Sequence, residues 1–478
     1  VTPLKDIVVR FGSEGVIRLC GLISFPLLAH ALGADGYGVV IGTGAIIGLA
    51  MAFGGLGLSF HVARMMQTGD GPANARLLRT LLAINLLGGL ILAGMDLACA
   101  PWLARAFIPH PAGTMALMVS AGCMVCGTTD GVLLEWLRAR HRFVAISLLQ
   151  AGQALVQLAA ILAVLACHGG VVAVVAVPAC IQCAKFAVIW WLLRQAGEFA
   201  TPGLLPRAQI GALVLGSMPV LSATLGTWLL SQGVRLAIGN RLDTAALGTF
   251  AAAALLATGI GMIGSACWLP LYPRVARAVA HGQPLLVARV CRGFGRFFHL
   301  AAIPALGLGS VLGGVAVRCL AGHAFHDVDL PCALLLAASY VEMGALPWSY
   351  IVAAHGDAVR SRNGVLVGGA TNLILAVALA PVAGLVGVAG AVLAGQLAVA
   401  AMNWRSARIL GHRPGACLPW PSIALASVAA MAAMAAAFAC RREGWTGLVL
   451  ASAAGAGVYL AVLALGRFRT MLRIAKTP

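Results

Sequence analysis

The chain is 478 residues long, 61% hydrophobic and only 10% charged, with a mean hydropathy of +0.96. A soluble domain is nearer roughly 45–50% apolar and about 25% charged, so this composition excludes an ordinary globular enzyme and leaves a polytopic membrane protein. The formal charge of +18 comes from 29 Arg and 3 Lys against 14 acids, spread over many short loops. That distribution fits the positive-inside rule better than a nucleic-acid footprint, and no nucleic-acid partner is expected.

Apolar runs bounded by Arg, Gly and Pro predict spans over 11–32, 38–61, 80–100, 114–137, 143–166 and 171–193. Each approaches the roughly 20 residues that cross a bilayer as a helix. The first run carries Glu14 and Arg18 and no small-residue cleavage site, so it is expected to span rather than to be removed as a signal peptide. A polar connection over 194–207, with Pro202 and Pro206, leads to a second set over 209–231, 246–268, 297–319, 332–354, 363–380 and 385–404. Two further spans follow over 421–439 and 445–466.

The expected fold is therefore an all-α polytopic membrane protein of about fourteen transmembrane helices. Its domains are a six-helix lobe over 1–200, a second over 201–412, and two additional helices with a basic tail over 413–478. With the N-terminus in the cytoplasm, 24 of the 32 Lys and Arg residues fall in cytoplasmic segments and 6 in outer ones. This bias fixes the expected orientation and places both termini in the cytoplasm.

The two sets of six carry a repeat. Val62-Ala63-Arg64 recurs as Val275-Ala276-Arg277, and Arg76 and Arg79 recur as Arg289 and Arg292, all at an offset of 213. His141 pairs with His355 and Gln182 with Gln396 at 214, and Gly38 with Gly248 at 210. Six spans per half give both halves the same orientation, related by a pseudo-two-fold axis along the membrane normal.

Three local patterns add a family resemblance. They are Leu32-Gly33-Ala34-Asp35-Gly36-Tyr37-Gly38; Gly55-Leu56-Gly57 through Ala63-Arg64; and Arg235 through Leu242-Asp243 to Gly248-Thr249-Phe250. Together with the repeat they resemble the Wzx-type polysaccharide flippases, of the superfamily that also holds the MATE exporters and the lipid II flippases, over residues 5–410. Where that family often carries an Asp-Arg pair this chain has Val234-Arg235, so no coupling acid is expected there. The resemblance implies a bacterial inner-membrane protein that passes a polyprenyl-pyrophosphate-linked oligosaccharide through a cavity between its halves by alternating access, for surface polysaccharide such as lipopolysaccharide or exopolysaccharide. Implied partners are that lipid-linked substrate, membrane lipids and polysaccharide polymerase or assembly proteins.

A charge at the centre of a span costs about 2.5–3.5 kcal/mol on insertion scales, so each one needs an explanation. Arg18 lies some seven residues into the first span; it either snorkels beside Glu14 at i−4 or binds pyrophosphate, since a guanidinium donates two parallel hydrogen bonds to phosphate oxygens. By position, and because the resemblance implies a basic cavity, Arg64, Arg235 and Arg241 are the other candidates, with Arg64 equally readable as a positive-inside residue. Gln150, Gln153 and Gln157 share one helix face at i, i+3 and i+7, suited to lining a sugar cavity or to hydrogen bonding across helices. Asp130 and Glu342, at nearly equivalent places in the two halves, are ion-coupling candidates, with pairing to a neighbouring helix as the alternative; Lys185, a further candidate, either snorkels to the interface or faces the cavity or a neighbouring acid.

Other motifs are set aside. Gly259-x-Gly261-x-x-Gly264 lies mid-span with no βαβ unit around it and reads as close helix packing. Cys123-x-x-Cys126 and Cys180-x-x-Cys183 also fall within spans, where cysteine packs as a small apolar residue. His323-x-x-His326-Asp327-x-Asp329 has metal-ligand chemistry but reads as a solvated outer loop. No lysine follows a glycine, so there is no P-loop. No cofactor, metal or catalytic residue is expected, and the chain is not expected to be an enzyme. The rivals are an ion-coupled small-molecule exporter of the MATE type and a membrane glycan polymerase or ligase. The latter commonly presents a sizeable outer loop, whereas the longest connection here, 269–296, is expected in the cytoplasm.

Overall fold

The computed structural model describes residues 3–58, 71–140, 142–195, 203–268 and 270–474. It is 89% helical, with no strand among the described residues. Helices satisfy every backbone polar group within one segment, which an apolar solvent demands. Among the described residues, twelve helices are long and apolar enough to cross a membrane. Two of these, over 12–54 and 358–409, are each kinked near the middle and long enough to hold two spans. The chain is a multi-pass membrane protein.

In chain order the helices are α1 (Pro3–Gly54), α2 (Gly71–Phe107), α3 (Gly113–Ala139), α4 (Phe143–Ala166), α5 (Val171–Gln195), α6 (Arg207–Trp228), α7 (Val234–Arg241), α8 (Thr244–Trp268), α9 (Leu271–Ala280), α10 (Pro284–Ala321), α11 (Asp329–Ala354), α12 (Ala358–Ile409), α13 (Trp420–Ala439) and α14 (Trp445–Ile474). A single π-helical turn, Leu229–Gly233, joins α6 to α7. Both double-length helices break at a glycine with positive φ: Gly33 (φ 69°) in α1 and Gly384 (φ 55°) in α12. L side chains rarely adopt that conformation, so glycine is the residue that lets the chain turn there. These breaks coincide with the expected boundaries after residue 32 and at 381–384.

The chain divides into two compact units, 1–248 and 249–478. In the first, α1, α2 and α3 approach closely through small residues. A Cβ on Gly54 would lie 2.3 Å from Thr128 Cγ2, and one on Gly89 would lie 2.9 Å from the Val125 Cα. Thr128 Oγ1 donates across the interface to the Asn85 carbonyl at 2.9 Å. Membrane helices associate in this way because lipid is as apolar as leucine, so packing and hydrogen bonds supply the attraction.

In the second unit, α13 lays Ala426, Ala429, Ala430 and Ala433 against α10 and α14, and Tyr459 donates to the Leu300 carbonyl at 2.6 Å. The expected cytoplasmic connection 269–296 is mostly helical. It holds the short α9, which buries Leu271, Val275 and Ala278 and exposes Arg274 and Arg277. α10 begins at Pro284, thirteen residues before the expected span. The apolar face of α9 packs against α10 and α11, which leaves its basic face outward.

Candidate functional site

In the first unit the structure gathers three of the expected polar residues. Lys185 on α5 donates to Asp130 Oδ2 on α3 at 2.7 Å and to Gln153 Oε1 on α4 at 2.9 Å. The Lys185 side chain is 8% exposed and that of Asp130 17%. Each charge in apolar surroundings is thus neutralised by its partner, and Gln153 takes a second ammonium proton. Gln150 and Gln157 flank Gln153 on the same face of α4, both half-buried.

The arginine candidates separate. Arg18, its side chain 38% exposed, lies 4.0 Å from Glu14 Oε2, the helical pairing that accompanies snorkelling. Arg64 lies outside the described residues, as do Val62, Ala63 and His141 of the repeat. Arg241 is exposed in the last turn of α7. Arg235 is the second residue of α7, just after the π-helical turn, its Nε buried and unpartnered. Tyr37 lies within electrostatic reach of its guanidinium. A π-turn widens the helix locally and often accompanies function. In the second unit, Glu342 on α11 is exposed.

Two of the three patterns that carried the family resemblance meet in the first unit. Asp35 accepts a hydrogen bond from the Thr244 hydroxyl and lies 3.5 Å from His110 Nε2. Gly38 and Gly248 are pressed against backbone: a Cβ on Gly38 would fall 1.8 Å from the Thr244 carbonyl oxygen, and one on Gly248 2.0 Å from that of Ala34. The repeat partners Gly38 and Gly248 are therefore the two sides of one helix crossing.

A family model described as polysaccharide biosynthesis protein matches residues 4–279, more than half of the chain. The chain belongs to that family. Among solved structures, the lipid II flippase MurJ in an inward closed conformation aligns with a TM-score of 0.79 at 12% identity, covering 98% of this chain and 100% of that one. The inward-facing conformation of a multidrug resistance MATE family transporter of the MOP superfamily aligns at 0.58, with 14% identity over 83% of this chain and 97% of the other. The Vibrio cholerae MATE transporter VcmN in the bent form gives 0.56, with 14% identity over 84% and 95%. No curated protein sequence matches. At these identities the likeness is one of fold, and the fold is that of membrane flippases and transporters.

The first unit also holds two buried polar side chains that the sequence pattern did not single out. Asp96 on α2 is 4% exposed, and neither of its carboxylate oxygens has a hydrogen-bond partner. Thr43 on α1 is 1% exposed with its hydroxyl likewise unpartnered. Asp96 lies between Ala93 and Ala100 on its helix, Thr43 between Val39 and Ile46, and those four flanking residues pack in one apolar cluster that also takes in Leu236 of α7. The signal was available: Asp96 is the one acid inside the apolar run 80–100. The candidate metal loop offers no converging ligand set, for among the described residues no three His, Cys, Asp or Glu side chains cluster. Asp329 there is held by Arg318 at 2.9 Å and by Arg441.

Proposed function

We propose that this protein is a flippase that translocates a polyprenyl-pyrophosphate-linked oligosaccharide across the bacterial inner membrane by alternating access, with both termini in the cytoplasm. The observation that carries this reading is the family match over residues 4–279, joined to a fold shared end to end with the lipid II flippase MurJ. Two six-helix lobes over 1–200 and 201–412, with the additional pair over 413–478, are the proposed moving parts. Translocation breaks no covalent bond, so the polar residues act by solvating a charged headgroup rather than by catalysis. Arg18, Arg235 and Arg241, together with Arg64, are the proposed pyrophosphate ligands, because guanidinium presents a fork that matches phosphate oxygens. Gln150 and Gln157 are proposed to meet the sugar. With Asp130 and Lys185 engaged with each other, the acids proposed to respond to a coupling ion are Glu342 and Asp96.

The test is a clean deletion followed by quantification of lipid-linked oligosaccharide and surface polymer. The reading expects intermediate to accumulate on the cytoplasmic leaflet and polymer to disappear, with wild type but not Arg235→Ala restoring both. Normal polymer in the deletion, with altered resistance to small cations, would overturn it. That result would favour the MATE-like exporter, a reading that the buried unpartnered Asp96 also supports, since an acidic residue suits a cationic substrate.

A further inference from the structure

The first unit contains a cavity of about 430 Å³ whose walls are amphipathic along their length. α2 contributes Arg79, Leu82, Ala83 and Leu86, at i, i+3, i+4 and i+7, and so from one helix face. α5 contributes Phe186, Trp190 and Arg194, at i, i+4 and i+8, also one face. Arg79 stands at the N-terminal end of its stripe and Arg194 in the last turn of α5, so each apolar stripe is closed by an arginine. Chain alternation puts the start of α2 and the end of α5 on the same side of the unit. At 1.5 Å per residue the apolar part extends roughly 10 Å along the helices beyond the arginines. The last part of the polar connection is fixed over this end: the Leu205 amide donates to Thr80 Oγ1 at 3.0 Å, and Leu204 lines the cavity.

We propose that this cavity is a binding site for an anionic phospholipid, with the headgroup phosphate held by Arg79 and Arg194 and one acyl chain lying against Leu82, Leu86, Phe186 and Trp190. Charge complementarity selects the occupant. Basic pockets between membrane helices at the positively charged end recruit anionic headgroups, while aromatic and aliphatic walls take a hydrocarbon chain. The groove of similar volume in the second unit, lined by Leu256, Ile260, Leu308 and Leu336 among others, has no charged residue in its lining. A neutral chain would be served by either; only the first offers guanidinium groups to a phosphate. This inference needs only that the chain spans a membrane and is independent of the flippase reading.

The experiment uses the purified full-length protein in detergent, titrated with phosphatidylglycerol, with phosphatidylcholine of the same chains, with a polyprenyl phosphate and with inorganic phosphate, bound lipid being counted by native mass spectrometry. Phosphatidylglycerol is expected to bind well above phosphatidylcholine. An arginine near a charged headgroup contributes roughly a fivefold change in affinity, so the double variant Arg79→Ala/Arg194→Ala is expected to weaken binding about 25-fold. Arg79→Lys/Arg194→Lys keeps the charges and should restore most of it. Ala83→Trp fills the apolar part with both arginines in place and should also abolish binding, which keeps the test available if the double alanine variant does not fold. Equal binding of the two phospholipids, or Ala83→Trp binding like wild type, would overturn the proposal. So would competition by inorganic phosphate as effective as by lipid, or a preference for the polyprenyl phosphate.

Discussion

Two polar features of the first unit, Lys185 and Asp96, meet apolar surroundings in opposite ways. Lys185 is surrounded by what it needs, a carboxylate at 2.7 Å and an amide oxygen at 2.9 Å from two other helices. Asp96 is more deeply buried, at 4% exposure, and has no partner for either oxygen. A charge that is paired and hydrogen-bonded holds α3, α4 and α5 in register. One left bare is costly to keep and gives the molecule a group that can take up a proton, a cation or a substrate atom. Buried polar residues in membrane helices therefore fall into ties and tools, and partner geometry distinguishes them better than depth does.

The largest effect is expected where a tie is cut on one side only. Lys185→Ala leaves Asp130 without its ion partner and should cost about 3–5 kcal/mol, read as a lowered midpoint of thermal unfolding in detergent. The double variant Lys185→Leu/Asp130→Leu removes both charges and should recover most of that loss. If the double variant is as unstable as the single one, the pair is not the tie described here.

Next in size is the helix crossing at Gly38, where any side chain would meet the Thr244 carbonyl oxygen. Gly38→Val should destabilise by about 1–3 kcal/mol or more, since the obstacle is backbone and cannot rotate away. Gly12, with nothing within 4 Å of its Cβ position, serves as the control: Gly12→Ala should change the same midpoint little.

Asp96→Asn sharpens the comparison from the other side. Removing a bare buried charge should leave stability unchanged or raise it by up to about 1 kcal/mol, while complementation of the deletion phenotype falls. A stability loss like that of Lys185→Ala would mean that Asp96 is a tie as well.

The smallest effect is a pH dependence outside the spans. The His412 and His355 rings lie 5.1 Å apart in the second unit. Burial, and then the charge of His355, hold His412 below the ordinary histidine value. The unfolded chain therefore takes up this proton first as pH falls, so the contribution is complete above about pH 6.5 and is lost below it. The unfolding midpoint should drop between about pH 7.5 and pH 5, and His412→Gln should reduce that drop.

Much of the fold was legible because composition dictates it. Runs of about 20 apolar residues can only be helices in a bilayer, and the expected breaks near Gly33 and Gly384 fall where the backbone turns. The amphipathic α9 was missed: ten residues carry too short a periodic signal to separate from a loop, although Leu271, Val275 and Ala278 alternate correctly with Arg274 and Arg277. The shared face of Gln150, Gln153 and Gln157 followed from spacing. The convergence of Gln153, Asp130 and Lys185 did not, because it depends on which helices become neighbours, and the lysine and aspartate are 55 positions apart in sequence. The match of Gly38 with Gly248 first read as a repeat, and the crossing supplies its physical reason: both positions admit no Cβ.

The most direct measurement of the central claim places the purified protein in liposomes carrying a labelled polyprenyl-pyrophosphate oligosaccharide. The fraction of headgroups open to a membrane-impermeant glycan-modifying reagent is then followed. The account predicts that the inner-leaflet pool becomes accessible with wild-type protein and stays protected in protein-free liposomes, with Arg235→Ala markedly slower. Protection unchanged by the wild-type protein, in liposomes where the same preparation carries a cationic dye, would contradict it.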